Sequence, residues 1–207
     1  MQVEIWSDMV CPWCFIGKRR FSQALARYRD RERVTVVHRA FQLDPDATND
    51  GRRTVEVLAQ KYDITLSQAV DMMSDVSDTA AEAGLHYRLA ETVSGNTADA
   101  HRTVLWAQRQ GRGAALLEAL FSSYFESALP VFTAEELHPL VAGVGLDADA
   151  ALTMLGSTDY RDQVAADQVT AAQLGARGVP FFVFDRRIAV AGAQPVSTFA
   201  EALASAG

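Results

Sequence analysis

Cysteine is scarce in this chain: two residues in 207, Cys11 and Cys14. That excludes a disulfide scaffold, and it also excludes a closed cysteine-rich zinc site, which needs four ligands. The four histidines, His38, His86, His101 and His138, are scattered with no H-x3-5-H pair. No metal is therefore expected. Basic residues are outnumbered, 19 Lys+Arg against 26 Asp+Glu, for a net charge of −7. This balance argues against nucleic acid as a partner. Lys18-Arg19-Arg20, Arg52-Arg53 and Arg186-Arg187 read as solvated faces. No apolar run reaches membrane-spanning length, and the N-terminus has neither a basic region nor a long apolar one. The expectation is a cytoplasmic chain with no membrane partner. No internal repeat or low-complexity tail is present. Gly111-Arg-Gly113 ends a helix instead of opening one after a strand, so it is not a nucleotide loop.

Both cysteines lie in one Cys11-Pro12-Trp13-Cys14 motif. Val3 to Trp6 before it alternates like a strand. After it, Cys14, Phe21, Leu25 and Tyr28 fall on one helical face, with Lys18 near that face and its ammonium reaching water. Pro12 suits the first helical position. Cys11 is then the N-cap residue and Cys14 lies in the first turn. Unpaired N–H groups and the positive end of the helix dipole favour thiolate over thiol there. The expected order is attack by Cys11 and resolution by Cys14. A bridge closing two intervening residues constrains little of the unfolded chain, so a purely structural disulfide is a poor explanation. In a reducing compartment such a pair is expected to be redox-active.

The rest of the chain reads in order. Arg33 to Leu43 holds a strand with apolar residues on both faces, completing a βαβ unit with a parallel pair; His38 within it is a packed residue. Residues 44–51 form a loop. Helices follow at Thr54–Tyr62, after a Thr65–Gln68 capping box, at Thr97–Gln110, at Ala114–Ser127, after a Thr133–Glu136 capping box, after an Asp147 cap, and at about Thr158–Leu174. Leu66, Ala69, Val70, Met73, Val76 and Ala80 form the stripe of the second of these, and Met72 and Met73 pack in a core or groove. Gly178-Val179-Pro180 then leads into a hairpin, Phe181–Phe184 and Ile188–Val190, and a closing helix begins at Pro195. The fold class is α/β: a βαβ…ββα arrangement with a four-stranded mixed sheet and a large helical insertion. The expected division is 1–51 with 157–207 as one discontinuous domain, and 52–156 as the insertion. If Pro180 faces Cys11, the Val179 carbonyl and N–H are free to pair with an extended substrate.

Strand–Cys-Pro-Trp-Cys–helix, the helical insertion and Gly178-Val179-Pro180-Phe181-Phe182 resemble the thioredoxin-fold DsbA family, in particular its cytoplasmic FrnE-like branch. Phe41-Gln42-Leu43-Asp44-Pro45-Asp46, Asn96 to His101 and Gly192-Ala193-Gln194-Pro195 extend the resemblance over nearly the whole chain. It implies a protein-disulfide oxidoreductase in which Cys11 is the exposed nucleophile, Cys14 the resolving cysteine and Pro180 a cis-proline opposite them. It also implies a helical cap beside the site, with Pro12, Trp13, Val179, Asn96 and His101 at the substrate. Asn96 alternatively caps a helix, and His101 shares a face with Val104, Leu105 and Gln108. Periplasmic DsbA proteins carry His where Trp13 stands. Trp13 offers an apolar docking face and no charge, which implies a weaker oxidant. The partners implied are thiols and disulfides, proteins or small thiols such as glutathione, with no metal or organic cofactor; a homodimer stays open. The same superfamily includes glutathione-dependent 2-hydroxychromene-2-carboxylate isomerases and kappa-class glutathione transferases, which typically have serine at the Cys11 position. A redox-inert small-molecule-binding protein is the third alternative.

Overall fold

A computed structural model describes residues 1–207. Its sheet is built around β1 (Gln2–Ser7), which is buried on both faces from Val3 onward. β1 pairs in parallel with β2 (Thr35–Ala40) on one side and antiparallel with β3 (Phe181–Phe184) on the other. β4 (Ile188–Ala191) pairs antiparallel with β3, so the order is β2-β1-β3-β4 and the sheet is mixed, as expected.

Alternation decides what each face of β1 meets. Val3 and Ile5 point into a cluster with Phe21 and Ala24 of α1 (Pro12–Arg27), Phe182 and Phe184 of β3, and Phe199 and Leu203 of α9 (Val196–Ala206). On the other face, Trp6 packs with Phe181, Val183 and Ala171 of α8 (Arg161–Gln173), and its indole N–H donates to the Asp167 carbonyl at 2.8 Å. Glu4 shares that face as a buried carboxylate. Arg39 and Arg186 both donate to it, and Arg39 also reaches Asp167. Burial alone would raise the Glu4 pKa, but the hydrogen bonds and charges of Arg186 and Arg39 outweigh it and hold the carboxyl below its ordinary value.

Between β2 and α8 lie α2 (Thr54–Tyr62), α3 (Leu66–Glu82), α4 (Ala98–Arg109), α5 (Gly113–Phe121), α6 (Ala134–Gly143) and α7 (Ala148–Leu155). The Thr65–Gln68 and Thr133–Glu136 capping boxes form as expected, and the Asp147 carboxylate accepts from Ala150 N–H. Three expectations are corrected. Leu66 and Val70 are exposed at the start of α3, and only Ala69, Met73 and Ala80 of the expected stripe are buried. The helix expected to Ser127 changes at Ser122, where residues Ser122–Glu126 form a π-helical turn. Lys18 does not reach open water: its ammonium is held by Glu118 of α5.

The helical block has no core separate from the motif. One cluster of 30 buried residues runs from Met9, Cys11, Cys14, Phe15 and Ile16 into Val104, Phe121, Phe125 and Val141.

Candidate active site

Cys11 is the N-cap of α1, with extended backbone at φ −90° and ψ 108°, and Pro12 occupies the first helical position. Both cysteines are free thiols. Cys14 N–H donates to the Cys11 carbonyl at 2.9 Å, a closed first turn. Burial pushes the Cys14 thiol well above its ordinary pKa, followed by the hydrogen bond and charge of Cys11; the charge of Asp8 adds to this, and only the Asp8 N–H opposes it. That N–H donates to Cys14 Sγ at 3.5 Å, and the Asp8 carbonyl accepts from Cys11 N–H at 3.1 Å.

The Val179–Pro180 peptide bond is cis. Cys11 Sγ donates to the Val179 carbonyl at 3.5 Å, so the loop before β3 lies against the motif. Gly17 permits this approach: a Cβ there would stand 2.9 Å from Pro180 Cγ. The Val179 carbonyl is therefore taken by Cys11 in this state, whereas the Val179 N–H makes no hydrogen bond within the chain. The exposure expected of Cys11 needs correction: it is 4% exposed, little more than Cys14 at 1%. The motif instead meets solvent through Trp13, 40% exposed, with Leu43 another exposed apolar side chain.

The two remaining expected substrate-binding residues are engaged inside the protein. Asn96 Oδ1 accepts from Gln42 Nε2 and Ala98 N–H, and its Nδ2 donates to the Pro45 and Ala47 carbonyls. An amide side chain has two donors and one oxygen with two lone pairs, so its capacity is used. Asn96 thus staples the 44–47 loop to the start of α4. His101 is 3% exposed and does not open on a cleft. Its Nε2 lies 3.1 Å from the Phe41 carbonyl and 3.4 Å from Asp8 Oδ1.

Two residues escaped the sequence reading. Asp8 looked only like the end of a strand, yet it is fully buried beside Cys14. The available signal was a carboxylate flanked by Trp6, Met9 and Val10. Tyr87, in an irregular stretch, donates its hydroxyl to the Pro12 carbonyl at 2.8 Å. Its ring stacks on Phe125 at 4.8 Å and on Phe15 at 6.2 Å between centroids. Burial, then the nearby Cys11 and Cys14, hold its phenol well above the usual range. Nothing local marked it.

Residues 2–204 match the model of the DSBA-like thioredoxin domain. The chain belongs to that family. Over its full length it is similar to a probable DsbA oxidoreductase from Streptomyces coelicolor, with 44% identity, a TM-score of 0.94 and 89% of that chain covered. The DSBA-like fold also aligns on a 2-hydroxychromene-2-carboxylate isomerase at 16% identity and TM-score 0.74, covering 99% of this chain and 95% of that one. It aligns as well on the cytosolic disulfide reductase DsbM from Pseudomonas aeruginosa, in a structure with GSH, at 19% identity and TM-score 0.69, covering 99% and 98%. The last two likenesses bear on the fold alone. No helix of the protein is long and apolar enough to cross a membrane.

Proposed function

We propose that the protein is a thiol-disulfide oxidoreductase of the FrnE-like branch, working in the cytoplasm through Cys11 and Cys14. The observation that carries this reading is the pair of free thiols at the start of α1, one donating to Val179 and the other accepting from Asp8 N–H. Cys11, at the helix N-cap, attacks a substrate disulfide and leaves a mixed disulfide. Cys14, one turn on and deeper, attacks Cys11 and releases the substrate as a thiol. Attack requires the Cys11 thiol to leave the Val179 carbonyl, which then joins the already unpaired Val179 N–H as an edge for an extended substrate. Pro180 shapes that edge, and Pro12 and Trp13 supply the apolar contact. Residues 52–156 serve as the cap, with residues 1–51 and 157–207 as the thioredoxin-like part. Asn96 and His101 act from behind the site. Substrates are protein disulfides or small thiols such as glutathione.

The test is the reduction potential of the pair against glutathione, together with Cys14→Ser. A reversible two-electron couple, and a substrate trapped on Cys11 in the variant, is the expected result. A value near thioredoxin's, about −270 mV, marks a reductant, and one well above the glutathione pool an oxidant or isomerase. Absence of any reversible couple would exclude the oxidoreductase and leave the glutathione-dependent isomerase or a small-molecule-binding protein.

A further inference from the structure

The first turn of α1 holds an N–H that nothing else in the chain uses. Cys11 N–H donates to the Asp8 carbonyl, Cys14 N–H donates to the Cys11 carbonyl, and Pro12 has none to give. Trp13 N–H makes no hydrogen bond within the chain. It stands two places after the N-cap, where a capping side chain finds its donor. The cap here is Cys11, whose thiol donates to the Val179 carbonyl and makes no capping bond. A thiolate has no proton to donate. On ionisation Cys11 gives up the Val179 carbonyl and turns acceptor, and Trp13 N–H is the free donor beside it.

Tyr87 acts on the same peptide unit from its other end. Its hydroxyl donates to the Pro12 carbonyl at 2.8 Å, and that carbonyl and Trp13 N–H belong to one amide group. A hydrogen bond to an amide oxygen draws electrons from the nitrogen, which makes the N–H a stronger donor. The π-helical turn places the hydroxyl for this. His86 N–H donates to Glu126 Oε1 at 3.2 Å and Arg88 N–H to the Phe125 carbonyl at 2.7 Å, so both neighbours of Tyr87 are fastened to Ser122–Glu126. The ring between them stacks on Phe125. Burial and the two cysteines hold the phenol above its usual range, so it stays a donor at neutral pH. Such π-helical turns recur at functional sites.

Resting on the oxidoreductase reading, we infer that Tyr87 is a positioning residue: its hydroxyl polarises the Pro12–Trp13 amide so that Trp13 N–H holds the Cys11 sulfur as thiolate. The Trp13 side chain brings no charge to the motif. The helical block supplies through the main chain part of what a charged neighbour would. Holding the thiolate favours the reduced pair. In exchange with glutathione the Cys11–Cys14 dithiol gives up two electrons and two protons and its sulfurs join. The S–S bond of oxidised glutathione breaks, and two molecules of reduced glutathione leave. Loss of the Tyr87 hydroxyl pushes this exchange towards the protein disulfide, and the protein becomes a weaker oxidant.

Two measurements at pH 7 test this. The first takes the Cys14→Ser protein, whose one thiol is Cys11, and follows its alkylation by iodoacetamide. The second equilibrates the protein with both cysteines against reduced and oxidised glutathione and reads the oxidised fraction by mass. Tyr87→Phe should slow alkylation if Cys11 is mostly thiol at this pH, or favour the protein disulfide if it is mostly thiolate. Either change should be about two- to fourfold, a fraction of one hydrogen bond to a charged group. Tyr87→3-fluorotyrosine keeps the ring and is a stronger donor, so it should move the same reading the opposite way, which a role in packing alone would not. Tyr124→Phe removes another buried hydroxyl of the block, one that donates to the Val93 carbonyl, and should leave both readings native. Three results overturn the inference and leave the oxidoreductase standing: native values in Tyr87→Phe, an equal shift in Tyr124→Phe, or a shift of the fluorinated protein in the same direction as Tyr87→Phe. A native protein that forms no disulfide at any ratio of the two glutathiones overturns both.

Discussion

His38 is buried in β2, and its Nδ1 has no hydrogen-bond partner. Burial, aided by the charge of Lys18, lowers its pKa from 6.5 to about 3. Between those values the unfolded chain binds a proton that the folded chain refuses. Stability from this group is therefore complete above about pH 6.5 and falls as pH drops towards 3, by up to about 1.4 kcal/mol per pH unit. His38→Leu should flatten that part of the acid limb. Urea midpoints at pH 7, 5 and 4 check it, and parallel slopes in the two proteins would contradict the burial argument. At this scale the sequence disclosed what is local. Cys11, Pro12 and Cys14 were legible because cap, first position and first turn are neighbours in the chain. Asp8 and His101 were not, because their relation exists only once α4 crosses behind the motif. His101 was named as a substrate contact, yet it is buried.

Among the elements, α1 and the helical block are tied by the bonds of Lys18 and Arg19 to Glu118, and beside them by one hydroxyl and a stack of rings. Phe15 lies against Phe121 at 5.0 Å and Phe125 at 6.4 Å, and Tyr87 completes the stack while bonding the Pro12 carbonyl. Tyr87→Phe keeps the ring and removes the hydroxyl, so it should cost about 1 kcal/mol. Tyr87→Leu also loses the ring contacts, each worth about 0.5–1.5 kcal/mol beyond area, and should cost measurably more. Equal losses in chemical denaturation would mean that the stack contributes nothing. The capping boxes were readable because their donors and acceptors are three residues apart. The π-helical turn was not: Phe121 to Phe125 suits an ordinary helix, and its partners Phe15 and Tyr87 come from other parts of the chain. Leu66 and Val70 show the same limit, since spacing gives the side of a helix and not what covers it.

For the whole molecule, the buried charges on the Glu4 face join β1, β2, α8 and the turn after β3. Arg39 serves both Glu4 and Asp167, whose side chains are 2% and 6% exposed. Arg39→Met leaves Asp167 only the Ala40 N–H and Glu4 only Arg186, two buried carboxylates short of their shared cation, so a loss of about 3 kcal/mol is expected. Arg186 is 60% exposed, and Arg186→Met should cost clearly less, because solvent screens its charge. Denaturation of the two variants side by side checks this; a cost for Arg39→Met no larger than for Arg186→Met would contradict it. The βαβ…ββα order was legible because each strand and helix carries its own period. The four-way ion network was not, since single arginines and glutamates in a sequence look like solvated charge.

The central place of β1 also sets a timetable. β1 and α1 leave the ribosome before β3 and the Val179–Pro180 loop, which follow some 170 residues later, about 8–35 s at roughly 5–20 residues per second. Until then one edge of β1 is an unpaired strand, and Cys11 lacks the carbonyl that covers it in the finished protein. The nascent chain thus passes through an interval in which its two thiols are more open to oxidants than they are after release.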